Sequence, residues 1–271
     1  MKQSIKNEFF KITHQKITWI APILILCLMM LSRAFIGNSE QRLLIMATYN
    51  SGEWILLALI IVCSTVLSME YQYHTILLTI YKAPNRFQVF ASKLLVISIY
   101  NLFLHFLAII FTLLLQLTPL KAHVSWLIIN KYSQSLVINM LNTTLIDLVA
   151  STLIVSLIFL SSSLIKSNSI VITINLAIVF MGQTASSQLL NTNAHLLNLV
   201  KWNPLNMYNL TAQYYNHAVY HDTSHLTNIE LLLGTLIYTA IFLILGYYLL
   251  EKRNFNKKTA SIKHSSYKSR T

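Results

Sequence analysis

Long apolar runs separated by short polar stretches set the pattern of this chain. Six stand out, at 17–36, 54–69, 94–117, 136–165, 169–190 and 229–250. A helix crosses a bilayer with about 20 residues, so each run is span-length; the second is short unless it takes in 46–52. Strands of that length are not expected, and backbone in lipid must bond to itself, so the runs predict helices. The fourth is long enough to tilt or protrude. The expected fold is therefore an all-α membrane protein with six transmembrane helices. Residues 1–250 form one transmembrane domain, and 251–271 a basic, Ser- and Lys-rich tail of disordered composition drawn to anionic lipid. Ahead of the first run, Ile5, Phe9 and Ile12 share one helical face and Asn7, Lys11 and His14 the other. That spacing predicts a short helix on the membrane surface before the chain turns in at Trp19 and Pro22. The alternative is a frayed basic tail that only sets orientation.

Composition agrees with this pattern. Hydrophobic residues make up 55% of the chain and charged ones 10%, against about 25% charged in a soluble domain. A net charge of +12 does not point to nucleic acid, because the basic residues fall in short segments beside the apolar runs. Of the 20 Lys and Arg, all but Arg33, Arg42, Lys121, Lys131 and Lys201 lie on the side that holds both termini. That bias predicts a multi-pass protein with both termini cytoplasmic. Richness in Ile, Asn and Lys suggests an AT-rich genome, and so a bacterial cytoplasmic membrane. Cys27 and Cys63 lie inside apolar runs and are expected to be buried thiols.

The chemistry on offer is sparse. The glycines Gly37, Gly52, Gly182, Gly234 and Gly246 are too far apart for a phosphate-binding loop. No catalytic constellation emerges, so the chain is not expected to be an enzyme or to bind a cofactor itself. Asp147 is the acid deep in a span, whereas Glu70, Glu230 and Glu251 stand at span ends, where water is near. A mid-membrane carboxyl should face a cavity or a polar partner. Asn139, Asn142 and Thr143 share a side in the same run. Two readings of these residues with Asp147 stand: the lining of a translocation path, or a packing seam, since polar residues also hold spans together. His217, His221 and His225 would share one helical face, as a metal site or as solvated external histidines. His105 is expected to bond within the bundle, and Gln116 and Gln183 to need no function.

The polar stretch between the second and third runs carries the most information. Glu70 closes one run, and Thr75 opens a short helical pattern with Leu77, Ile80 and Tyr81 on its apolar side. Pro84 stops it; Asn85, Arg86, Phe90 and Lys93 lead into the next run. Such a helix suits the docking of a soluble partner, or an amphipathic turn against lipid. On these residues the chain resembles the permeases of type 2 ATP-binding-cassette transporters. Their pattern has Glu at the end of the second span, then Gly-Thr, a short apolar helix, Pro-Ser-Arg, an aromatic residue and a Lys. Here His74 stands for the Gly and Asn85 for the Ser. The N-terminal amphipathic helix, the six spans and Asn203-Pro204-Leu205 in a long segment between the last two also resemble that family.

The resemblance implies a permease half that dimerises with an identical or different copy and docks separate ATPase subunits, which would hold ATP and Mg. It implies ATPase coupling through Glu70, Thr75, Leu77, Ile80, Tyr81, Pro84, Arg86 and Lys93, with a smaller contact at 166–168. It further implies export of an amphipathic substrate such as a peptide, bacteriocin-like toxin or drug. A membrane sensor or immunity subunit without transport of its own, and an ion-coupled secondary transporter, are the competing classes.

Overall fold

The computed structural model describes residues 2–36, 40–72, 85–165 and 167–252, and these are helical throughout their long segments. A short helix, α1 (Lys2–His14), precedes the first span, α2 (Lys16–Ile36). After α3 (Gln41–Met46), the further spans are α4 (Ser51–Gln72), α5 (Arg86–Leu115), α6 (Leu136–Leu164) and α7 (Asn168–Thr192). Short helices α8 (Leu197–Val200), α9 (Asn209–Tyr215) and α10 (His217–Ser224) lead to the last span, α11 (Asn228–Lys252). Among the described residues six helices are long and apolar enough to cross a membrane, one for each predicted run.

Boundaries moved where capping chemistry outweighed hydropathy. The third span starts at Arg86 because the Asn85 side chain accepts from the Gln88 N–H at 2.8 Å. The last span opens on a reciprocal cap: Thr227 N–H donates to Glu230 Oε2 at 2.7 Å, and Glu230 N–H to Thr227 Oγ1 at 3.3 Å. The chain turns into the first span at Gln15, earlier than Trp19 and Pro22, which lie within α2. Trp19 pins that corner by donating from Nε1 to the Thr13 carbonyl at 2.8 Å.

The spans α4 and α6 form the centre. In the apolar stretch of α4, 61% of residues are buried, against 22% in α7 and in α11, whose outer faces carry exposed Phe180, Met181, Ile237 and Ile244. Lipid gives apolar side chains no reason to cluster, so contact rests on close packing and polar links. Gly246 of α11 lets that helix lie against the backbone of Phe159 and Leu160 in α6; a Cβ there would stand 3.4 Å from it. Ser68 bonds Ser162 at 3.1 Å, Asn101 bonds Ser151 at 2.7 Å, and Asn175 bonds Ser161 at 2.9 Å, joining α4, α5 and α7 to α6. Cys63 is buried as expected. Cys27 is not: it lies on the outward apolar face of α2, since burial in lipid needs no protein neighbour.

The end of the bundle that holds the start of α2 and the end of α11 is called the base below. At the opposite end, Thr48, Tyr49 and Asn50 turn the chain from α3 into α4 with φ of 46°, 55° and 58°. Three consecutive left-handed non-glycine residues are costly, and such strain gathers at functional sites. Gln116 holds the corner by donating to the Tyr49 hydroxyl at 2.8 Å, and Thr48 and Ser51 share a hydrogen bond.

Candidate functional site

At the base, four charged side chains form an alternating ring. Lys93 Nζ lies 2.8 Å from Glu8 Oε2 and 2.8 Å from Glu70 Oε1. Lys11 Nζ closes it at 2.7 Å from Glu8 Oε1 and 2.6 Å from Glu70 Oε1. Glu8 and Lys93 are almost wholly buried, so each depends on the other for compensation. Burial alone would raise the Glu70 carboxyl, but Lys93 and then Lys11 outweigh it and hold it below its ordinary value. The ring fastens surface helix α1 to the end of α4 and the start of α5. Arg86 adds a tie from α5 to the end of α11, donating to the carbonyls of Leu250 and Glu251.

Three coupling residues inferred from the resemblance, Glu70, Arg86 and Lys93, are thus placed inside the base. Glu70 was expected beside water; it is buried because Lys93 and Lys11 satisfy its charge. Thr75, Leu77, Ile80, Tyr81 and Pro84 lie outside the described residues, as do Lys166 and the tail from 253. Sequence reasoning passed over Glu8. The signal was there, since Glu8 follows Ile5 by three and precedes Ile12 by four, which sets an acid on the apolar face of α1.

Towards the other end, α4, α6, α7 and α9 enclose a cavity of about 290 Å³. Thr143 and Asp147 line it from α6, and Gly52 and Glu53 from α4. Asp147 Oδ1 accepts from Thr211 Oγ1 at 3.1 Å, and its Oδ2 faces His105 Nε2 at 3.7 Å. His105 Nδ1 meets the Asn101 carbonyl at 3.0 Å. Gly52 leaves room for the Asp147 carboxylate, which a Cβ at that position would displace. Asn139 and Asn142 serve elsewhere: Asn139 donates to the Lys131 carbonyl at 3.0 Å and Asn142 to Gln134 Oε1 at 3.1 Å, both bracing the segment before α6.

The wall from α9 is built by amides. Gln183 on α7 donates to Asn209 at 2.8 Å, and Asn209 donates to Asn206 at 2.8 Å. Asn206 donates in turn to the carbonyls of Lys201 at 2.7 Å and Ser224 at 2.8 Å. Asn203, in the Asn-Pro-Leu triplet, caps this turn by accepting from Asn206 N–H at 2.9 Å. The chain of amides sets Tyr208 and Thr211 against the cavity, so Gln183 has a structural task that its position in a span end did not suggest. The Tyr208 hydroxyl is buried without a hydrogen-bond partner. Its burial and the charge of Glu53 both raise it, which keeps it a proton donor. Glu53 was missed in the sequence because it stands one residue before the second apolar run.

His217 and His221 stack with ring centroids 4.7 Å apart, whereas His225 leaves the helix in a left-handed turn. Among the described residues no group of three His, Cys, Asp or Glu is placed to hold a metal ion.

Residues 4–182, about two thirds of the chain, match the family described as ABC-2 family transporter protein. The chain belongs to that family. It is therefore a multi-pass membrane protein and a transmembrane permease subunit, of a kind whose partners in general are ABC ATPases. The match covers α1 to most of α7, and so takes in the whole charged ring and the α4 and α6 walls of the cavity. No curated protein matches the chain.

Proposed function

We propose that this ABC-2 permease subunit forms half of an ATP-driven exporter in a bacterial cytoplasmic membrane. The cavity between α4, α6, α7 and α9 is part of its path for an amphipathic substrate: a peptide, toxin or drug. The observation that carries the reading is that cavity, held within the spans of an ABC-2 permease and walled by both carboxylates and apolar side chains. Mixed walls suit a cargo with a polar head and an apolar body. In this reading Thr143 and Asp147 belong to the path. The base faces the cytoplasm, with both termini, and the segment from Thr75 to Tyr81 seats in ATPase subunits that bind ATP and Mg. A second permease half, identical or different, completes the path along the exposed faces of the spans. The charged ring transmits the ATPase stroke, because it locks the flanks of that segment, Glu70 and Lys93, to each other and to α1.

The test is co-purification of the tagged chain from its native membrane under mild detergent. An ABC ATPase should accompany it in stoichiometric amount. Leu77→Asp or Tyr81→Asp should remove the ATPase while the permease still inserts. Normal complex formation by both variants would refute the coupling assignment, and a clean preparation without any ATPase would turn the reading towards a sensor or an ion-driven carrier.

A further inference from the structure

The cavity's charge is more specific than its shape. Its lining includes Glu53 and Asp147 but no Lys or Arg. Asp147 has partners in the Thr211 hydroxyl and the His105 ring. His105 Nδ1 faces a carbonyl, which only accepts, so that nitrogen carries a proton. Nε2 lies 3.7 Å from Asp147 Oδ2, so the imidazole stands between this carboxylate and the bundle. His105 Nε2 has no other partner in a side chain that is nearly fully buried, which leaves it facing Asp147 alone.

Glu53 has no such partners. Among the described residues nothing forms a hydrogen bond or ion pair with it, and it remains accessible within the cavity. It stands in the first turn of α4, and no cation in the cavity lining offsets its charge. The cavity that Glu53 lines also takes in the rings of Tyr208, Tyr215 and Tyr220, and the Tyr208 hydroxyl is buried and unpartnered. One uncompensated carboxylate among aromatic faces is the combination that recognises an organic ammonium group, through charge and through the ring quadrupoles. The volume of about 290 Å³ suits a small molecule or one side chain of a larger one.

We propose that the cavity is a binding site for an organic monocation, with Glu53 as its counter-ion and the tyrosine rings as its walls. The proposal refines the path reading by assigning a positive charge to the part of the cargo that enters here, though binding itself needs no ATPase. The test uses the full-length chain in lipid nanodiscs, with empty nanodiscs as reference. The probes are benzyltrimethylammonium and its uncharged isostere neopentylbenzene. Isothermal titration and thermal unfolding should show saturable binding of the cation and at least tenfold weaker binding of the isostere. Glu53→Gln should abolish that preference, with Glu53→Asp retaining part of it. Equal binding of the two probes to the unaltered protein would overturn the proposal whatever the variants do. So would stabilisation by sodium chloride over potassium chloride with none by the cation, which would mark an alkali-ion site. If the cation binds with the expected charge dependence yet leaves ATP hydrolysis by the purified complex unchanged, the site stands and the path reading falls. If hydrolysis responds to amphipathic cargo while charge makes no difference to binding, the path stands and this proposal falls.

Discussion

Lys93 is the residue whose loss should hurt the base most. It contacts both Glu8 and Glu70 and is only 4% exposed, whereas Lys11 contacts the same two acids with its side chain 37% exposed. Lys93→Met removes the charge and keeps most of the apolar stem, so packing changes little. It leaves two buried carboxylates facing a single half-exposed lysine. Removing one partner of a buried pair costs about 3–5 kcal/mol, because the remaining charge stays desolvated. Lys11→Met removes an ammonium that water already screens, and should cost about 1 kcal/mol or less. At roughly 2–4 °C per kcal/mol for a chain of this size, Lys93→Met should lower the unfolding midpoint by about 6–20 °C and Lys11→Met by a few degrees at most. The assay is thermal unfolding of the chain in nanodiscs, with proteolysis near α1 as a local readout. Adding Glu8→Gln to Lys93→Met restores charge balance and should recover about half of the loss. Equal losses from the two lysine variants, or a double variant worse than Lys93→Met alone, would refute the assignment of the ring as a buried, charge-balanced clamp.

Other predictions follow from single groups. The Glu70 carboxyl is held below its ordinary value of 4.5, so its stabilisation is present above that pH and is lost as pH falls through the lower folded value. Acid titration should therefore release α1 below about pH 4.5 in the native chain, and Glu70→Gln should lack that acid step. Gly52→Ala forces a methyl group into the Asp147 carboxylate and should cost about 1–3 kcal/mol in thermal unfolding, whereas Gly182→Ala, with Leu205 at 3.5 Å, should be tolerated. Asn85→Ala should cost about 1 kcal/mol by freeing the Gln88 N–H at the start of α5.

Hydropathy made the spans legible because lipid imposes it on every residue that faces outward. That is why six predicted runs became six helices and only their ends moved, most of all at Asn85, where a hydrogen bond decides. Burial within the protein was less legible. Cys27 and Cys63 read alike as apolar, yet one faces lipid and the other the bundle, and composition does not distinguish the two. Asp147 could be singled out because an acid in mid-span has few places to go. Its partners could not, since His105, Thr211 and Gly52 come from three other segments and meet it only through tertiary packing. Glu53 was hidden because it lies just outside an apolar run, where charge looks ordinary until the fold encloses it, whereas Glu8 stood on the apolar face of α1 in a segment that otherwise reads as basic and polar.

The two sites are joined by one rigid element. Glu53 and Glu70 belong to the same uninterrupted helix, α4, 17 residues apart by their numbers, which is about 25 Å along the axis. One carboxylate sits in the cavity and the other in the ring at the base. A helix packed on four sides by spans moves as a rod, so a displacement of its base reaches its far end as a tilt. A tilt of about 5° over that length shifts Glu53 by about 2 Å. A shift of that size moves the carboxylate off a cation held against it and against the ring faces, since cation–π contact weakens beyond about 6 Å. On the coupling reading proposed above, the ring at the base would make such a tilt transmissible. Lys93 ties the end of α4 to the start of α5, and Glu8 ties Lys93 to α1, so these three helix ends are held together. Breaking the clamp with Lys93→Met should therefore uncouple ATP hydrolysis from any effect of a bound cation even at temperatures where the chain stays folded. Retained coupling in that variant would mean that the stroke enters the bundle by another route.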